Sequence, residues 1–195
     1  MAKGYRIRDQ FGVYFLTLTV VGWVDVFARQ LYRDLFMTSL RHCCDHKGLR
    51  LHAYVVMSNH IHMVVSAKDD SVGLSAIVRD LKGFTSRQIL ATIASHDQES
   101  RREWMMMVFR YHGRSIAGKG GIQFWQQNDK PKQMLHPRFS RRILNYIHEN
   151  PVRAGLVRSA TEYLYSSAMN YAEMSDPLMR VELLCFGAEE GYVFS

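Results

Sequence analysis

Apolar and polar positions along the chain fall into strand-like and helix-like periods. The most informative stretch is Tyr54-Val55-Val56-Met57-Ser58-Asn59-His60-Ile61-His62-Met63-Val64-Val65. Two apolar runs meet at Ser58-Asn59, a pair that favours a tight turn, so the stretch reads as an antiparallel hairpin. Side chains of a strand alternate between its faces. In the second strand Ile61, Met63 and Val65 therefore point one way, and His60, His62 and Val64 the other. The apolar set is expected to pack on helices while the two imidazoles look outward into a shallow site.

The rest of the chain supplies elements around this hairpin. Val13 to Val21 is rich in β-branched and aromatic residues and reads as a central strand. From about Ala28 to His46, Leu31, Leu35, Leu40 and Cys43 follow helical spacing, and Gly48 is the stop. Asp69-Asp70-Ser71 opens a second helix with Leu74, Ile77, Val78, Leu81, Phe84, Ile89 and Leu90 on its apolar side, leaving Arg79, Lys82 and Arg87 as a basic stripe. A third helix is expected over Gln98 to Tyr111, with Met105, Met106 and Met107 as core or hinge, since methionine fills irregular gaps. Gly113 to Gly121 reads as a mobile basic connection; no helix opening on Lys-Ser or Lys-Thr follows it, which excludes a phosphate-cradling loop. Ile122 to Gln126 reads as a short strand, and Asn128 to Pro137 as loop.

Phe139-Ser140-Arg141-Arg142-Ile143-Leu144-Asn145-Tyr146-Ile147-His148-Glu149-Asn150-Pro151 is the second informative stretch. Phe139, Ile143 and Ile147 recur every four residues as a buried stripe, and Arg142, Tyr146 and Asn150 recur on a flanking face. One helix face thus offers a guanidinium, a phenol and an amide in order. Pro151 disfavours helical geometry in its predecessor, so the helix is expected to end near Glu149 or Asn150. His148 lies off the tyrosine face and reads as a surface histidine; Glu149 reads as a solvated charge. A turn with Arg153 and Arg158 follows, then a last apolar run from Val181 to Phe186.

Composition narrows the class. At 195 residues and a mean hydropathy of −0.19, one domain with a sizeable core is expected, with no repeat and no span long enough for a membrane. Three cysteines, Cys43, Cys44 and Cys185, without CxxC spacing point to reduced thiols and a cytoplasmic location, as does an N-terminus lacking the apolar core of a signal peptide. Lys and Arg number 25 against 18 Asp and Glu, a net charge of +7, which favours a polyanionic partner, nucleic acid first.

A same-face imidazole pair is half of a metal site, or else two capped surface histidines. Tyrosine is a weak nucleophile at its free pKa of ~10 and becomes useful beside a cation. A divalent ion on His60 and His62 polarises a phosphoryl oxygen and orients it for in-line attack. The product is a phosphotyrosine link that conserves the phosphodiester's energy, so no ATP is required. Bland readings stand beside these: Tyr146 as a half-buried helix tyrosine, Asn150 as a helix terminator, the arginines as solubilising charge.

The hairpin residues Tyr54 to Val65 resemble the HUH motif (His, hydrophobe, His) of single-tyrosine transposases. Tyr146-Ile-His-Glu-Asn150-Pro151-Val-Arg-Ala-Gly155-Leu-Val is similar to the tyrosine-helix signature of the REP-associated tyrosine transposases. Lesser matches are Arg79-Asp-Leu-Lys82-Gly-Phe-Thr, Phe124-Trp125-Gln126 and Tyr165-Ser-Ser, so the resemblance spans roughly residues 10 to 172. It implies an α+β fold: a ferredoxin-like antiparallel sheet with helices packed on one face. The domain is then a single one over 1–195, with a core of about 5–172 and an extension over 173–195. The resemblance implies metal-dependent cutting and rejoining of single-stranded DNA at hairpins through a 5′-phosphotyrosine, with Tyr146 as nucleophile and His60, His62 and Asn150 as ligands to Mg2+ or Mn2+. Arg79, Lys82, Arg87, Arg138, Arg141, Arg142, Arg153 and Arg158 are the expected DNA contacts, in a monomer or homodimer. The segment Asn128 to His136 departs from the family's Gly-aromatic-His pattern. A DNA-binding regulator of the same fold with little turnover is the alternative; a zinc hydrolase is disfavoured by the lack of a carboxylate near the histidines.

Overall fold

Four antiparallel strands, β1 (Tyr14–Thr19), β2 (Leu49–Val56), β3 (His60–Ala67) and β4 (Lys132–Gln133), form one sheet in the order β2-β3-β1-β4. The structure is a computed structural model and describes residues 7–114, 121–127 and 130–184. Helices α1 (Gln30–His46), α2 (Leu74–Ser95), α3 (Arg102–Gly113) and α4 (Pro137–Arg153) complete the α+β fold. Among the described residues no helix is long and apolar enough to cross a membrane.

The hairpin closes with Met57 N–H donating to the His60 carbonyl at 2.9 Å. Its tip is tied down as well: the Ser58 and Asn59 carbonyls accept the N–H groups of Phe27 (2.8 Å) and Val20 (2.9 Å). Register sets Leu16 opposite Met63 and Leu18 opposite Ile61, and Tyr54 opposite Met63, so these buried side chains share one face. α1 and α2 pack on that face. The stripe α1 buries is Tyr32, Phe36, Leu40 and Cys43, turned by one residue from the expected Leu31 and Leu35, of which Leu31 is exposed. Aromatic rings offer more apolar area to the core than the leucines, and the Tyr32 hydroxyl finds a partner there, the Glu99 carboxylate at 3.0 Å.

Other boundaries differ from expectation for local reasons. α2 begins at Leu74 because Gly73, at φ +85°, breaks the backbone after the Asp69–Ser71 turn. Phe84, expected on its apolar side, is exposed, and Thr85 and Ile93 are buried instead. Met105 and Met106 are core but Met107 is exposed. Gln123 to Gln126 is no strand: Trp125 makes a single bridge to Val20, while Phe124 and Trp125 bury their rings beside Phe27. The strand forms later, in the expected loop, where Lys132–Gln133 pairs with Tyr14 and Phe15. Residues 115–120 of the glycine-rich stretch, and Cys185, lie outside the described residues; Cys43 and Cys44 are free thiols.

The outer edge of β2 is covered by the chain after α4. Val56 N–H donates to the Tyr165 carbonyl and Ser167 N–H to the Tyr54 carbonyl, both at 2.9 Å. Covering an edge removes a template for unwanted pairing. The described part of the extension returns to the same strand, with Glu182 N–H on the Leu51 carbonyl at 2.9 Å.

Pro151 does not end α4, which runs on to Arg153. Proline in the last turn forfeits a single backbone bond; the stop comes at Gly155, whose φ of +69° is the left-handed residue that follows many helices. Nor is His148 on the surface. It is fully buried, its Nε2 2.8 Å from the Ser167 Oγ and its ring against Tyr171. Burial pushes its pKa down from 6.5 to about 3. The unfolded chain therefore binds a proton that the folded chain refuses, so stability falls as pH drops from about 6.5 towards 3. Near pH 5 the cost from His148 alone is about 2 kcal/mol. Urea unfolding at pH 8 and pH 5 should show a shallower loss for His148→Gln than for the wild type; equal losses would contradict a buried neutral imidazole.

Candidate active site

The face of the sheet opposite α1 and α2 carries the histidine pair. Register places Thr17 opposite His62, Thr19 opposite His60 and Phe15 opposite Val64, so all six share that face. α4 lies across it. Its Ile143 and Ile147 are buried, while Tyr146, 36% exposed, reaches the strand pair from the flanking side. The expectation of helices on one face holds for α1 and α2, and α4 adds a layer on the other.

Tyr146 Oη lies 3.1 Å from His62 Nε2, with ring centroids 5.0 Å apart. Phe15 stacks on the other side of His62 at 5.3 Å and meets the Tyr146 ring edge-on at 6.3 Å. His62 Nδ1 is 2.9 Å from Thr17 Oγ1, so both its nitrogens are engaged. The His60 ring is 4.7 Å from that of His62, and its Nδ1 donates to Asn59 Oδ1 at 2.7 Å. Contrary to a shallow, outward-looking site, His62 is 4% exposed. Burial, then the neighbouring His60, pushes its pKa down to about 3; burial also lowers that of His60. Both imidazoles are therefore neutral at pH 7.

This donor set fits a divalent ion. An amide oxygen accepts only, so the proton of His60 sits on Nδ1 and its Nε2 keeps a lone pair. Outer partners on the far nitrogen, here Asn59 and Thr17, are how metal-binding histidines are oriented. Among the described residues no group of three or more His, Cys, Asp or Glu gathers. A third protein ligand must come from another residue type. Asn150 donates from its amide nitrogen to the Tyr146 carbonyl at 2.7 Å, which leaves its Oδ1 as the atom with lone pairs to offer.

The expected cations fall into two groups. Arg138, Arg142, Arg153 and Arg158 are exposed on α4 and the turn after it, with Arg141 half-buried among them. Arg79, Lys82 and Arg87 lie on α2, in the layer beyond the sheet. There Arg79 and Arg87 border a cavity of about 710 Å³ between α1 and α2, and Lys82 Nζ donates to the Gln126 carbonyl at 3.0 Å. The structure does not bring the two groups together. Sequence reasoning missed Thr17, Phe15, Asn59 and Trp23 as neighbours of the histidines. The alternation of β1 puts Phe15, Thr17 and Thr19 on one face, but pairing that face with His62 needs the register. Lys132, in the segment expected as loop, stands 6.0 Å over the Phe15 ring.

Residues 18–112 match a family model described as Transposase IS200 like. The match covers just under half of the chain. The match includes His60 and His62; α4 with Tyr146 lies beyond it. Among solved structures, the chain shares its fold with one described as "Structure of the REP associates tyrosine transposase bound to a REP hairpin". That pair is 16% identical with a TM-score of 0.63, over 97% of this chain and 98% of the other. A putative transposase from Deinococcus radiodurans R1 is 19% identical at a TM-score of 0.43, over 76% of this chain and 95% of that one. No curated protein matches the chain.

A phenol is a stronger hydrogen-bond donor than acceptor, so Tyr146 donates to His62 Nε2, and His62 Nδ1–H donates to Thr17. Nitrogen-15 NMR of the metal-free protein should find His62 neutral and protonated on Nδ1. In Tyr146→Phe only the Nε2 resonance should move strongly. A proton on Nε2 would contradict this arrangement.

Proposed function

We propose that the protein is an IS200-like transposase that cuts and rejoins single-stranded DNA beside a hairpin, with Tyr146 as nucleophile. The observation that carries this reading is a part-exposed phenol 3.1 Å from a buried neutral imidazole that is paired with a second. In the reaction Tyr146 Oη bonds to phosphorus, the bond from phosphorus to O3′ breaks, and the leaving oxygen takes up a proton to become a 3′-hydroxyl. The resulting 5′-phosphotyrosine keeps the phosphodiester's energy, so a second 3′-hydroxyl can reverse the step and join a new strand.

His60, His62 and Asn150 would hold Mg2+ or Mn2+; such an ion, when bound, neutralises phosphoryl charge and polarises phosphorus. The nitrogen donors favour Mn2+ on ligand softness. Thr17 and Phe15 hold the His62 ring in place, and before metal binds the phenolic proton rests against His62 Nε2. The arginines of α4 and its turn are placed to take the strand's phosphates beside the phenol, and the α2 group is proposed to contact the hairpin farther from the cut. A REP-associated tyrosine transposase of this fold has been solved on a REP hairpin, which supports a hairpin as substrate class.

The test is a denaturing gel of protein incubated with a hairpin oligonucleotide bearing a single-stranded flank. A covalent adduct should form with the wild type in Mn2+ or Mg2+, and disappear with EDTA or with His60→Ala, His62→Ala. In Tyr146→Phe cleavage should fall at least ~1000-fold while Kd stays within about threefold, because only the attacking atom is lost. Residual adduct in that variant would place the nucleophile elsewhere. Affinity should exceed that for a blunt duplex of equal length and drop steeply between ~50 and ~200 mM salt, as for several neutralised phosphates.

A further inference from the structure

Trp23 is 62% exposed beside the histidine pair, yet its backbone sits at φ +55°, directly after Gly22 at φ +63°. Bulky side chains avoid this left-handed region. Such strain persists only where surrounding structure imposes it, and it gathers at functional sites. The imposing contacts are visible. Val21 N–H donates to the Phe124 carbonyl and Val20 N–H to the Asn59 carbonyl, each at 2.9 Å. Val21, Val24 and Val26 anchor both flanks in the core. α3 backs the turn so closely that a Cβ on Gly22 would meet Val108 Cγ1 at 2.8 Å.

The turn is also wired to the site. Asn59 places its amide nitrogen 3.4 Å from the Trp23 carbonyl and its Oδ1 2.7 Å from His60 Nδ1. The indole then stands edge-on to the His60 ring at 6.3 Å and 73°. Exposure rules out a core role for this ring. A chance surface residue would not require a strained turn held from three sides.

We propose that Trp23 is a stacking platform for one unpaired base of the strand whose phosphate Tyr146 attacks. Every base has a π face, so stacking on an indole is tolerant of sequence, but it requires a base free of its partner. A base held there would fix the strand beside His60 and select single strands over duplex. The chain's charge of +7 and the match of residues 18–112 to a transposase model favour a nucleic-acid occupant. Trp23 is thus a positioning residue, and the proposal rests on the function given above.

The experiment scans 2-aminopurine through the single-stranded flank of the hairpin, read on Tyr146→Phe so that no cleavage is needed. One or two positions should be quenched on binding. Adding Trp23→Ala should abolish that quench and weaken binding about tenfold, while Trp23→Phe keeps most of both. In the cleaving protein, Trp23→Ala should raise KM more than it lowers kcat. Trp23→Gly should leave Tm unchanged or higher, since glycine accepts the left-handed backbone. A quench pattern untouched by Trp23→Ala, or a fall in Tm with Trp23→Gly, would overturn the platform. Failure of the wild type to form any adduct would instead strike the underlying function, and leaves the quench scan readable by itself.

Discussion

The contact between Tyr146 and His62 joins two layers that have no covalent neighbour in common. The histidine belongs to a central strand, whose position is fixed by ladder bonds to β1 and β2. The tyrosine belongs to a helix held by Ile143, Leu144, Ile147 and the buried His148. Because both are set by packing over many residues, the phenol arrives at Nε2 without a flexible loop in between. Such preorganisation would remove entropic cost from the proposed attack.

Burial governs the electrostatics of this centre. A water-exposed imidazole would titrate near ~6.5 and repel an ion when charged. Enclosed by Phe15, Thr17 and α4, His62 stays neutral far below that, and the neighbour His60 reinforces the effect. Arg138, Arg142, Arg153 and Arg158 stand farther out, exposed on α4 and the turn after it, while Arg79, Lys82 and Arg87 lie on α2. On the proposed function, positive charge would meet the strand at the rim, and neutral lone pairs would meet the ion inside. Such a division would let one face attract DNA while keeping its proposed ligands unprotonated.

Much of this was legible in the sequence because the signals were periodic. Alternation across Ile61 to Val65 gave the two faces of β3, and a four-residue recurrence put Arg142, Tyr146 and Asn150 on one side of α4. What was not legible depended on partners distant in the chain. Tyr32 and Phe36 took the fully buried positions through contacts with Glu99 and Trp125, leaving Leu31 exposed and Leu35 partly buried against the core. His148 looked like a surface residue until Ser167 and Tyr171 closed over it. Pro151 read as a stop, but Gly155 supplies the stop instead. The role of Trp23 as a neighbour of His60 rests on a left-handed turn and a tethered hairpin tip, neither of which leaves a periodic trace.

Peptide mapping of the DNA-linked protein by mass spectrometry tests the central claim most directly. After reaction with a flanked hairpin oligonucleotide, trypsin and nuclease digestion should leave a nucleotide on the peptide Ile143–Arg153, attached through phosphate to Tyr146. Attachment at any other residue, or cleaved DNA with no protein-linked nucleotide, would contradict a phosphotyrosine mechanism at this site.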